Sequence, residues 1–287
     1  MLRSKEIQGL RALAVTLVLL FHAGWLPGGY IGVDVFYVIS GFLITSIIIN
    51  DQNFSFKKFY LRRAKRLLPA AFLVLAATSL AYWFIAPTGA RAQFAKELLA
   101  GTWYLSNYFL AYWENDYQNL GAAPSPLVHF WSLAVEEQFY IFWPLLLMIF
   151  KKNRKHLVIA LTLGSFLFSI YLIDVDPIFA FYSLPTRAFE LGLGALVALY
   201  QIRAKLMTLG IATIATGALI FDESTKFPGA PALIPIFGAV MIIISINNSN
   251  YVNKYGFGVA LNSKIAQLMG NWSYSIYLWH WPLLILP

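Results

Sequence analysis

The sequence predicts an all-α membrane protein: a polytopic transmembrane helical bundle of about nine spanning helices plus one re-entrant or interfacial helix, with a cytoplasmic N-terminus. Three observations predict it. Of 287 residues, 59% are hydrophobic and only 12% charged, where a soluble domain carries about 25% charged residues. The apolar residues gather in runs approaching the about 20 that a spanning helix needs. The positive charges concentrate in alternate connections, as the positive-inside rule requires. This composition excludes a soluble globular domain, and it excludes disorder, which needs low hydrophobicity.

The first apolar run, 11–26, follows a short basic leader. No A-x-A cleavage site comes after it, so it reads as an uncleaved first helix rather than a signal peptide. Further runs fall at 33–49, 67–86, 130–150, 157–173, 188–201, 206–221, 231–247 and 272–287. A weaker run, 98–113, contains Asn107 and ends in Glu114, Asn115 and Asp116. If that run does not span, segments 1–11, 50–66, 151–156, 201–205 and 247–265 face the cytoplasm and hold 17 of the 21 Lys and Arg residues. If it spans, Lys151, Lys152, Arg154 and Lys155 move outside, against the charge rule. Topology therefore accounts for the net charge of +8, and no nucleic-acid partner is expected. The chain stops at Pro287 in an apolar run with no polar tail, as a truncated sequence would.

There is no cysteine, and the four histidines lie far apart. No HExxH, CxxC, GxGxxG or P-loop pattern occurs, so no metal or nucleotide-fold site is expected. Ionisable groups at membrane depth mark function instead. Arg11 and His22 lie on one face of the first helix, about 16 Å apart along its axis. Arg11 is either a snorkelling anchor or part of a polar pathway, and His22 is either an interhelical hydrogen-bonding residue or part of the same pathway. In GGYIGVDVFYVISGFLIT, residues 28–45, Asp34 stands close to His22 along the chain. It is expected either to orient the His22 imidazole or to cap a helix.

FKKFYLRRAKRLLP, residues 56–69, is the most basic stretch. Arg63 and Arg66, three apart, share a helix face and suit phosphate, or they contact anionic lipid headgroups. HFWSLAVEEQFYIFWP, residues 129–144, carries adjacent Glu136 and Glu137, about 100° apart on a helix, after His129 and Trp131 near the outer interface. Arg187 and Glu190 in LPTRAFELGLG are placed to close a salt bridge over one turn. WSYSIYLWHWP, residues 272–282, puts His280 near mid-membrane, with Ser273, Ser275 and Tyr277 before it. A basic entrance inside and an acid–base cluster outside suggest a phosphate-bearing donor loaded from the cytoplasm. A proton-coupled transporter and an inactive remnant remain alternatives.

In this order, the Arg11–His22 pair, GGYIGVDVFYVISGFLIT, RRAKR, HFWSLAVEEQFYIFWP, RAFELGLG and WSYSIYLWHWP resemble the membrane acyltransferase-3 family, which includes bacterial polysaccharide O-acetyltransferases. The resemblance covers essentially all of 1–287 as one domain. It implies transfer of an acyl group, usually acetyl from acetyl-CoA, to a hydroxyl of an extracytoplasmic carbohydrate, in a multi-pass protein of the bacterial cytoplasmic membrane. His22 resembles the essential histidine and Arg11 its partner near the donor. Arg63 and Arg66 match the cytoplasmic double-arginine motif, and Glu137 an important acidic position beside Glu136. The expected catalytic set is thus His22, Asp34, Glu136 and Glu137. Arg11, Arg63 and Arg66 are expected to bind the donor, and His129, Trp131, Arg187 and Glu190 the acceptor. Members usually have at least one more span, and some add an SGNH hydrolase-like domain. The implied partners are acyl-CoA, a carbohydrate acceptor, the lipid bilayer and, as an option, a separate SGNH-type domain or protein.

Overall fold

A computed structural model describes residues 4–115, 125–246 and 257–286. Among them the chain is helical, and helix α1 runs from Lys5 to His22. A 3-10 turn, Pro27–Ile31, leads into α2, Gly32–Asn50. Then come α3 (Phe56–Ile85), α4 (Thr88–Thr102), α5 (Ser106–Asn115), α6 (Phe130–Ile149) and α7 (Arg154–Val175). A one-turn α8 (Pro177–Tyr182), α9 (Leu184–Tyr200), α10 (Met207–Ile220), α11 (Leu233–Ile246), a short α12 (Phe257–Leu261) and α13 (Lys264–Ile285) complete it.

Among the described residues four segments are, by length and composition, long and apolar enough to cross a membrane: Pro27–Asn50, Phe56–Ile85, Phe130–Ile149 and Arg154–Val175. The sequence reading expects about nine. Helices α9, α10 and α11 are apolar but shorter, at 17, 14 and 14 residues, and α1 carries Lys5, Glu6 and Arg11. The basic stretch 56–66 is the first third of the 30-residue α3.

Pairing directions set the ends of the bundle. Gly270 of α13 lies against the Gln8 carbonyl, while His280 meets His22, so α1 and α13 run parallel. Tyr37 bonds Ser132 and Thr45 bonds Trp143, so α2 and α6 run parallel. Tyr60 bonds the Ile141 carbonyl and Arg63 pairs with Glu137, so α3 opposes α6. The α2–α9 crossing is a close one. A Cβ on Gly41 would strike the Leu191 carbonyl, and one on Gly194 the Val38 carbonyl, so only glycine lets these backbones meet. The start of α1, the α2–α3 link, the α6–α7 link and the start of α13 consequently share one end, which carries the Lys/Arg-rich segments.

The run 98–113 is broken at Trp103–Leu105 into two helices. Helix α4 returns along α3, with Phe94 stacked on Tyr82 at 4.3 Å. Tyr104, at φ 54°, makes the turn. Its carbonyl accepts from Gln138 at 2.9 Å. Helix α5 then climbs back to Asp176, which Asn115 bonds at 3.2 Å. The pair is a helical hairpin that dips to the level of Gln138 and returns.

Candidate active site

A cavity of about 790 Å³ opens between α1, α2, α3, α6 and α13, within the about 300–1,000 Å³ of small-molecule sites. Along α2 its lining runs from Ile47 to Val33, fourteen residues or about 21 Å of helix. It begins at the basic end among Gln8, Arg62, Arg66, Gln267 and Asn271, and it ends at Ser132, Tyr277 and Val33.

Arg11, Arg63, Arg66, Glu136 and Glu137 all line it, so five sequence-predicted residues meet in one space. Their commitments differ. Arg63 pairs with Glu137 at 3.5 Å and lies over the Tyr140 ring, 3.3 Å from its centroid. Arg62 and Arg66 line the same mouth, exposed, with no carboxylate paired to them among the described residues. The two glutamates diverge as their 100° offset requires: Glu136 accepts from Ser40 and, at 2.8 Å, from Tyr140, while Glu137 faces Arg63.

The deep wall is a pair of hydroxyls. Ser132 Oγ and Tyr277 OH lie 2.5 Å apart, and Tyr277 OH donates to the His129 carbonyl at 3.2 Å. Three imidazoles stand behind that wall. His280 sits with its ring centroid 4.9 Å from His22 and 5.4 Å from His129. Its Nε2 is 3.2 Å from His22 Nδ1, and its Nδ1 is 2.5 Å from the Tyr277 carbonyl. Pro282 organises this layer. It has no N–H, so the carbonyl four residues back, Leu278, lacks its helix donor. His129 Nε2 supplies one at 3.0 Å. Trp281 packs its ring 4.8 Å from His22 and donates its indole N–H to the Ser125 carbonyl at 2.8 Å. His22 is half-buried and outside the cavity lining, one layer beyond Tyr277.

The expectation that Asp34 orients His22 is corrected. Asp34 faces Arg187 at 3.4 Å, and no hydrogen bond joins it to His22 among the described residues. Nearness in sequence misleads here because α2 turns this position toward α9. Arg187 also meets Glu190 at 3.1 Å, the one-turn bridge read from their spacing. Its guanidinium carbon is within 5.6 Å of the ring centroids of Tyr37, Trp131, Phe181 and Phe227. All three charged residues are at most 1% exposed and lie outside the cavity lining. His129 and Trp131 are likewise buried, so the four residues assigned to an acceptor sit in the packed interior rather than on an outer face.

Sequence reasoning passed over Ser40, Ser132, Tyr140 and Trp281, and it noted Tyr277 and His280 without placing them in the site. The last two had a signal: Ser273, Tyr277 and His280 are four and three apart, which is one polar stripe on an apolar helix.

The family model described as an acyltransferase domain matches residues 4–286. The chain is 34% identical to YrhL of Bacillus subtilis over 98% of this chain and 48% of that protein. It is 32% identical to the peptidoglycan O-acetyltransferase OatA of Listeria monocytogenes over 98% of this chain and 49% of that protein. With the O-acetyltransferase OatA of Staphylococcus aureus it shares 31% identity, over 97% of this chain and 50% of that protein. The chain thus spans about half the length of the curated relatives it matches. No solved structure matches it. With the motifs in order and the model matched from end to end, the chain belongs to the membrane acyltransferase-3 family.

Proposed function

We propose that this chain is the membrane part of an O-acetyltransferase that takes an acetyl group from acetyl-CoA at the basic end and gives it to a hydroxyl of a cell-wall carbohydrate. One observation carries this: a single cavity begins among uncommitted arginines and ends at a hydroxyl wall backed by His22 and its neighbours. The name of the Listeria relative, a peptidoglycan O-acetyltransferase, supplies the acceptor class.

The donor's phosphates suit Arg62, Arg66 and Arg11, whose planar forks bind phosphate in two-point fashion. A pantetheine arm of about 15 Å fits the about 21 Å run of lining along α2, so the thioester reaches the Ser132–Tyr277 end while the nucleotide stays at the rim. His22 is the general base, a role that an imidazole fills near neutral pH. Its Nε2 takes the acceptor's hydroxyl proton, and the hydroxyl oxygen bonds to the acetyl carbonyl carbon. The C–S bond breaks, and the CoA sulfur leaves with the proton from the imidazolium.

The test is release of free CoA from acetyl-CoA by the purified protein in nanodiscs, with water or a carbohydrate as acceptor. His22→Ala is expected to lower release at least about 100-fold, the low end of acid–base catalysis, while acetyl-CoA still binds and the variant still inserts. A wild-type protein that releases no CoA, as a transporter would behave, or an undiminished His22→Ala variant, overturns the reading.

A further inference from the structure

Two backbone carbonyls fix the protons of the histidine pair. The Val18 carbonyl oxygen lies 3.0 Å from His22 Nδ1, and the Tyr277 carbonyl oxygen lies 2.5 Å from His280 Nδ1. A carbonyl can only accept, so both Nδ1 atoms carry hydrogen. In a neutral ring His280 Nε2 is then a bare lone pair. It stands 3.2 Å from His22 Nδ1 and takes a share of that hydrogen. His22 Nε2 keeps its own lone pair, with no hydrogen-bond partner among the described residues.

We propose that His280 is the positioning residue of the site: together with the Val18 carbonyl it holds His22 as the Nδ1–H tautomer and fixes the ring's orientation, so that Nε2 is the atom that takes the acceptor's proton. This rests on the acyl-transfer reading above. The expected orienting group was a carboxylate, and the only one near in sequence, Asp34, is committed to Arg187. An imidazole whose far nitrogen is tied to a backbone carbonyl does the same orienting work without a buried negative charge. When His22 Nε2 gains a proton, its Nδ1–H becomes a charged donor, and the bond to His280 Nε2 strengthens, as charge-assisted bonds do. Stabilisation therefore rises as the reaction proceeds. His280 is itself locked on several sides. Its Nδ1 is bonded to the Tyr277 carbonyl, and His129 packs edge-on at an interplanar angle of 76°. The Tyr277 hydroxyl meanwhile closes the cavity against Ser132. One residue thus joins the donor cavity to the histidine relay.

The experiment uses the whole chain in nanodiscs, grown with ring-15N histidine. There are only four histidines, so single substitutions assign every signal. The wild type is expected to show His22 with Nδ1 protonated and Nε2 bare. In His280→Leu only the Val18 carbonyl, a bond within one turn of the same helix, still holds that hydrogen, and the His22 signals should move toward a mixture of tautomers. The kcat for CoA release should fall about 10- to 100-fold, as loss of an orienting partner does, with KM for acetyl-CoA unchanged. His280→Gln, whose amide oxygen can occupy the Nε2 position, should restore the single tautomer and most of the turnover. It also serves should the leucine variant fail to fold. An unchanged His22 tautomer in His280→Leu overturns the proposal, whether or not turnover falls, because a fall without that change reports packing alone. A glutamine variant with mixed tautomers overturns it as well. A wild type with a locked His22 but no CoA release counts against acyl transfer instead, and the ring-nitrogen spectra still decide the tautomer.

Discussion

Arg63 stands 3.5 Å from Glu137 and caps the Tyr140 ring, which makes it the committed member of a basic cluster whose arginines Arg62 and Arg66 line the cavity mouth with no carboxylate paired to them among the described residues. The two arginines of the R-x-x-R pattern thereby divide their labour. One clamps α3 to α6 across the cavity wall, and the other is free to meet an anion. Arg11, from α1, joins the free set from the opposite wall.

That division predicts different kinetics for neighbouring variants. Arg66→Gln removes an interaction made equally in the ground and transition states, so KM for acetyl-CoA should rise about 10-fold, the cost of one charged hydrogen bond, with kcat little changed. Arg63→Gln should instead lower the melting temperature in detergent. The double variant Arg63→Gln, Glu137→Gln should lose less than the two singles together, with a coupling of about 0.5 to 3 kcal/mol. Steady-state kinetics beside thermal melting checks both. Equal KM effects from Arg63 and Arg66 would remove the distinction.

The hydroxyl wall makes a second prediction. Ser132 Oγ and Tyr277 OH close the cavity between the basic rim and His22. Ser132→Leu replaces one of the two wall hydroxyls with an apolar branch far from the arginines. Acetyl-CoA should still bind at wild-type affinity by calorimetry, while CoA release falls by about 100-fold or more, the scale on which a misplaced reacting group is penalised. Loss of binding in step with turnover would mean that the wall supports the mouth and does not gate the chemistry.

The sequence made one part of this site legible and hid another, for a physical reason. Ionisable groups in apolar runs must turn away from lipid. Arg11, Arg66, Glu136 and Glu137 could therefore be singled out without coordinates, but the sequence put the arginines at an inner entrance and the glutamates in an outer cluster, whereas all four line one cavity. Which inward-facing group meets which is a tertiary question. Asp34 is twelve residues from His22 in the chain, yet the glycine-mediated contact of α2 with α9 rotates it toward Arg187. The histidine layer needed the opposite kind of information. His129 bonds the Leu278 carbonyl, which Pro282, four places further on, leaves without a helix donor. The break of the 98–113 run at Trp103–Leu105 was hidden too, since a hydropathy profile does not register the positive φ of Tyr104.

Arg187 carries the last prediction, because its surroundings decide the sign. One guanidinium serves two carboxylates, Asp34 and Glu190, in an interior where all three are at most 1% exposed. Deleting the cation leaves two buried acids facing each other, and breaking a buried pair in this way costs about 3 to 5 kcal/mol. Arg187→Leu should therefore melt far below the wild type in detergent. Arg187→Lys should recover little, because a compact ammonium cannot bridge two carboxylates and also stack within four aromatic rings. Asp34→Asn reverses the logic. It removes the surplus negative charge and leaves one guanidinium with one carboxylate, so its melting temperature should fall far less than that of Arg187→Leu. Thermal unfolding of the three variants checks the order. An Asp34→Asn protein as unstable as Arg187→Leu would show that the guanidinium requires both carboxylates.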